Sequence, residues 1–133
     1  MLLVRARVGP SGIHETGLFL DEPVACGRPV WQFQPGFDQA FAPAEFAALP
    51  PLARDFLRRY AFLQATDGQH VLNGDHARFM NHSQTPNTGA PRDGSNDPEK
   101  CVTVALSDLP IGAELTCDYR AFDRDFAWKL ALS

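Results

Sequence analysis

This chain has no surplus of basic residues: 12 Lys and Arg stand against 16 Asp and Glu, a formal net charge of −4. That argues against a nucleic-acid binder, which needs a basic stripe, and is compatible with a basic partner such as a Lys-rich peptide. Cysteine is scarce: Cys26, Cys101 and Cys117 are odd in number, far apart and without CxxC spacing. A disulfide framework or a cysteine zinc site is therefore not expected, and a reducing compartment fits best. His14, His70, His76 and His82 form no HxxxH or HxH pair, and no carboxylates cluster with them at ligand spacing, so no metal is expected. Long apolar runs are missing as well. Nothing approaches the ~20 residues of a membrane helix, and the first residues carry no cleavage signature, so the expected location is cytoplasmic.

What is present is the balance of an ordinary globular protein, 44% hydrophobic and 21% charged over 133 residues. That is enough for one domain whose core needs no metal or disulfide. Eleven Pro and ten Gly point to short elements joined by tight turns. Leu2 to Val8 alternates loosely as a strand, Gly9 to Gly12 turns, and Thr16 to Leu20 forms a second strand. Val30 to Gln34 reads as another. Residues 43 to 60 form the one convincing helical region, split at Pro50-Pro51. Within it Leu52, Phe56 and Tyr60 recur at i, i+4, i+8 beside Leu57, which reads as a core face. Asp67-Gly68 turns a hairpin between Phe62-Leu63 and Val71-Leu72. Thr88 to Lys100 is polar and rich in Gly and Pro, and reads as a surface loop before the strand Cys101 to Leu106. Leu109 to Gly112 turns into a last strand, Glu114 to Cys117. The class is mostly β with one or two short helices.

The chemically dense run is Arg78-Phe79-Met80-Asn81-His82-Ser83-Gln84-Thr85-Pro86-Asn87. Polar residues at this density among buried-type ones end in a network of satisfied side chains. Composition alone leaves a structural turn and a functional site equally open. The run resembles the RFxNHSCxPN signature of SET-domain protein lysine methyltransferases. Gly112-Ala113-Glu114-Leu115-Thr116-Cys117-Asp118-Tyr119 resembles that family's GEELTxDY, and Gly12-Ile13-His14-Glu15-Thr16-Gly17-Leu18-Phe19 resembles its IHGxGLFA segment. Gly27 and Val30 fall at its GxxI step. The matches keep the family's order and span residues 12 to 119.

The resemblance implies a SET-type β-clip fold of several small sheets with a knot-like crossing, which Pro86 and Asn87 fit. It implies a single domain over residues 1–133, with 120–133 a short tail lacking a zinc-binding cysteine segment. It further implies methyl transfer from S-adenosylmethionine to the ε-amine of lysine in a protein substrate. By the matching positions, Tyr119 is the catalytic residue. Thr16, Gly17, Leu18, Arg78, Asn81, His82 and the tail's Trp128 hold the cofactor, and Phe33, Cys117 and Tyr119 line the substrate channel. Read alone, Tyr119 is a core tyrosine with a satisfied hydroxyl and Arg78 an ion-pair partner. Either Phe122, Phe126 or Trp128 covers the adenine, or these aromatics pack in the core.

Four positions depart from the family. Phe33 stands where many members carry Tyr. Cys117 replaces a Phe or Tyr that helps set how many methyl groups a lysine receives, and the smaller side chain favours higher methylation. Gln84 replaces a Cys, and Glu15 replaces the first Gly of the opening motif. Phe33 and Cys117 keep a second reading open: a catalytically weakened module that binds cofactor or a Lys-containing peptide and acts through interaction. A homodimer in which one subunit completes the other's site is compatible with the short tail.

Overall fold

Ser11 sets the first turn, because its hydroxyl accepts the backbone N–H groups of Ile13 and His14. In the computed structural model, which describes residues 1–93 and 102–131, this turn joins β1 (Ala6–Pro10) to the antiparallel β2 (Thr16–Leu20). The first strand thus starts later than expected. Gly9 and Pro10 pair with Gly17 and Thr16 instead of turning, while Leu2 bridges Trp31. Alternation along β2 puts Leu18 and Leu20 inward, and neither has any exposure. Burying each contributes roughly 1.5–3 kcal/mol.

The chain continues through β3 (Pro29–Gln32), β4 (Gln39–Phe41), α1 (Pro43–Ala48) and α2 (Pro51–Tyr60). The two helices break at Pro50-Pro51, as expected, because Pro50 holds an extended ψ of 152°. The hairpin also forms as read: β5 (Phe62–Leu63) and β6 (His70–Leu72) are antiparallel, with Gly68 at φ 73°. Then come β7 (Asn81–His82), β8 (Thr88–Gly89), β9 (Val102–Ala105), β10 (Thr116–Cys117) and α3 (Phe126–Ala131). Among the described residues four small sheets result, ordered β1-β2, β10-β7, β3-β9-β8 and β4-β6-β5. One core gathers residues of β2, β3, β9 and β10 with the segments between them, and Leu18, Leu20, Val30 and Leu115 in it have no exposure, while the β4-β6-β5 sheet adds no residue to it.

Three further expectations change. The Leu52, Phe56, Tyr60 line is not a core face: Leu52 is 83% and Phe56 44% exposed, and Leu57 is the buried residue of α2. The helix seats on β5 and β6 through Leu57, roughly a third of a turn away from that line. Thr88 is not loop surface but buried in β8, where its hydroxyl donates to the Thr116 carbonyl at 2.7 Å. The rest of that loop reading, with Lys100 and Cys101, falls partly on residues 94–101, outside the described residues. The tail adds a third helix, anchored by buried Asp123, which accepts from Leu63 N–H and from the Lys129 ammonium (2.6 Å).

Candidate active site

Two segments distant in sequence come together in one short strand pair, the crossing that the resemblance implies. β7 and β10 run parallel, with Asn81 opposite Thr116 and His82 opposite Cys117. Asn87 ties the crossing shut. Its Nδ2 donates to the Glu114 carbonyl (2.8 Å), its Oδ1 accepts from Thr116 N–H (2.9 Å), and its own N–H donates to Thr116 Oγ1 (3.1 Å). A two-residue strand pair leaves backbone groups open, and this side chain satisfies them.

Asn81 is the hub. It is buried, and its Nδ2 lies near four acceptors: Glu114 Oε2 (3.0 Å), Ser11 Oγ (3.1 Å), the Thr16 carbonyl (3.1 Å) and the His14 carbonyl (3.2 Å). One amide nitrogen has two protons, so the acceptors share them. Glu114 also accepts from the Ser11 hydroxyl at 2.8 Å. The turn at 11–16 is thereby fastened to the crossing. Gly17 is required by the same cluster: a Cβ there would lie 2.5 Å from Glu114 Oε2 and 2.9 Å from its carboxyl carbon. Glu15, where the family pattern has Gly, adopts φ 36°, the one left-handed non-glycine among the described residues. Such a backbone costs about 1–2 kcal/mol in an L-residue.

The phenol of Tyr119 donates to the Met80 carbonyl at 2.7 Å, one residue before the crossing. Burial first, then Cys117 and Asp123, push its pKa above the ordinary phenol value, so it is neutral at physiological pH. With its proton turned to Met80, the phenol oxygen keeps lone pairs free to accept. The Tyr119 backbone N–H donates to His82 Nδ1 (3.1 Å), which leaves the neutral ring's proton on Nε2, and the two rings stand 5.3 Å apart. Cys117 is buried beside them, and burial pushes its thiol up to about 12. Asp118 caps the turn at Tyr119–Ala121 and takes a bidentate contact from Arg120, which holds its carboxyl below the usual range.

Thr16, Gly17, Asn81, His82, Cys117 and Tyr119 are thus gathered together. Leu18 sits in the core next to them. Arg78 is exposed, with its guanidinium over the rings of Tyr60 (5.8 Å) and Phe79 (5.1 Å). Trp128 lies under the Arg58 guanidinium at 4.6 Å and is 37% exposed. Phe33 is half-buried just after β3, and Phe122 packs edge-on to Phe62 at 5.2 Å against the core. Ser11, Met80 and Glu114 join the site although sequence reasoning gave them no role. Among the described residues no group of three or more His, Cys, Asp or Glu is arranged to hold a metal ion. A mostly apolar cleft of about 370 Å³ between β3 and β9, near Cys26 and Val104, is separate from the crossing and touches none of these residues.

Comparison with known proteins matches residues 15–120 to the SET domain family. Among solved structures, Polycomb Repressive Complex 2 of Chaetomium thermophilum, autoinhibited and bound to S-adenosylmethionine, is similar at TM-score 0.65 and 18% identity, over 97% of this chain. A humanized mutant of that complex bound to the inhibitor GSK126 gives TM-score 0.64 and 19% identity over 94% of this chain. The chain spans only 17% and 16% of those two chains. A Plasmodium falciparum protein assigned as a histone methyltransferase gives TM-score 0.57 and 14% identity, covering 89% of this chain and 95% of that one. At these identities the likeness is one of fold: mostly β, in small sheets.

Proposed function

Because the chain belongs to the SET domain family, we propose that it transfers methyl groups from S-adenosylmethionine to lysine ε-amines of a protein substrate. The observation that carries this reading is the neutral Tyr119 phenol held 2.7 Å from the Met80 carbonyl at the β7–β10 crossing. When bound, the cofactor supplies an activated methyl group on a positively charged sulfur. The local chemistry fits it: two neutral acceptor oxygens favour a sulfonium, where a positive side chain would repel it.

In this reading the turn at 14–17, with Asn81 and His82, holds the cofactor. Asn81 acts by fixing the His14 and Thr16 carbonyls. Tyr119 does not serve as a base, since its proton is committed to Met80 and its pKa is raised. It accepts an N–H of the amine and so aims the nitrogen lone pair. A lysine ammonium has a pKa of about 10.4 and sheds a proton to solvent before its nitrogen attacks. In this reading Cys117 and Phe33 line the substrate channel, and their apolar surface disfavours the charged form of the amine. Positioning of this kind supplies up to about 7–11 kcal/mol of barrier lowering. Cys117, smaller than Phe or Tyr, leaves room for a second and third methyl group.

Incubation with labelled S-adenosylmethionine and a set of basic proteins tests the proposal. The expected result is label on lysine, found by mass spectrometry as di- or trimethyl-lysine. Monomethyl-lysine alone would remove the role given to Cys117. Cofactor binding with no transfer to any protein would favour the weakened module, and no binding at all would refute both readings.

A further inference from the structure

The α2 helix turns its most apolar line outward. Leu52 is 83% exposed and Phe56 44%, one helical turn apart on the same face. Phe56 continues into a ladder of rings, 4.9 Å to Tyr60 and then 6.5 Å from Tyr60 to Phe79. Two exposed guanidiniums flank the ladder. Arg59 lies over Tyr60 at 5.7 Å, and Arg78 lies over Tyr60 at 5.8 Å and Phe79 at 5.1 Å. Neither makes an ion pair with a carboxylate among the described residues. In a chain of net charge −4, a ring platform edged by two uncommitted guanidiniums runs against the overall sign.

We propose that this face docks a segment of a partner protein that presents two apolar side chains flanked by Asp or Glu. Leu52 and Phe56, at i and i+4 of the helix, form an exposed apolar ridge against which a partner's apolar side chains can pack. Guanidiniums stacked on rings are held in place with their N–H forks outward, the arrangement that takes carboxylates bidentately. Two guanidiniums on an acidic chain are too few to hold a nucleic-acid backbone, whose binding rests on many phosphate contacts. A second copy of the chain carries the same net charge of −4, which disfavours it as the occupant.

A displayed library of random peptides of about a dozen residues, selected on the wild type and on a Leu52→Glu, Phe56→Glu double variant, tests the proposal. The wild type is expected to enrich peptides with an apolar pair flanked by Asp or Glu. The double variant should bind those peptides at least about tenfold more weakly. Arg59→Glu alone should shift the preference away from acidic peptides. Enrichment of basic peptides, equal binding to the double variant, or no enrichment would overturn the proposal. So would tighter binding of a single-stranded oligonucleotide, or wild-type self-association in sedimentation that the double variant abolishes. Leu52→Ser, at a position already 83% exposed, serves in place of the double variant should the latter fail to fold. These readouts are of binding, so their failure leaves the methyl-transfer reading standing.

Discussion

Replacing Asn81 by Asp keeps the shape of the side chain and reverses its hydrogen bonding. The two amide protons now shared among Glu114, Ser11, Thr16 and His14 are removed, and an acceptor takes their place. A bond to a charged group contributes about 1.5–3 kcal/mol and a neutral one about 0.5–1.5, so roughly 3 kcal/mol is lost from these alone. The new carboxylate would also stand at the 3.0 Å separation from Glu114 that the amide now occupies. At an effective dielectric of about 20, two unit charges there repel by about 5 kcal/mol, which the pair relieves by holding a proton between them. The expected loss is about 4 kcal/mol near neutral pH, shrinking by about 2.5 kcal/mol near pH 5, since one proton held only in the folded state is worth about 1.4 kcal/mol per pH unit. Urea unfolding followed by circular dichroism at the two pH values measures both numbers. A loss below about 1 kcal/mol at each pH, with no pH dependence, would show that Asn81 is not the hub described.

Gly17→Ala should cost about 2 kcal/mol, because Glu114, fixed by Ser11 and Asn81, cannot yield to a Cβ at 2.5 Å; thermal unfolding reports it. Cys117 has its pKa raised in the fold, so its contribution is intact below the ordinary thiol pKa of about 8.5 and is lost as pH rises towards about 12. Denaturation between those values should show stability falling by on the order of 1 kcal/mol per pH unit, with a shallower fall in Cys117→Ala. His70 behaves in the opposite sense. Burial holds its pKa below the ordinary value, and neither ring nitrogen has a hydrogen-bond partner among the described residues. Its contribution is present above the ordinary imidazole pKa of about 6.5 and is lost as pH falls, so His70→Phe should flatten the acid limb of the stability curve. The replacement ring can keep the stack on Phe46, now at 3.9 Å.

Local signals were legible in the sequence. The short apolar run of Thr16 to Leu20, the Pro50-Pro51 break and the Asp67-Gly68 turn each depend on neighbours a few residues away, and each appears as read. The Leu52, Phe56, Tyr60 line misled because periodicity reports an amphipathic face without saying what covers it. Positions in the two dense motifs came from family resemblance, and the structure brings Asn81, His82, Cys117 and Tyr119 together. The contacts that fasten them were not legible. Ser11 meets Glu114 across 103 residues, and nothing local at either end marks the pairing. The tail was ambiguous for a related reason: one buried ion pair, Asp123 with Lys129, secures a helix too short to show a period.

In the proposed reaction the neutral Tyr119 phenol aims the substrate amine at the crossing while the cofactor is held by other groups. Tyr119→Phe separates the two roles when cofactor affinity is measured by calorimetry and methyl transfer by single-turnover labelling on the same preparation. Affinity should stay unchanged within a few-fold and transfer should slow by about 10²–10³, the usual loss of one positioned hydrogen-bonding group. Transfer at the wild-type rate in that variant would contradict the role given to Tyr119.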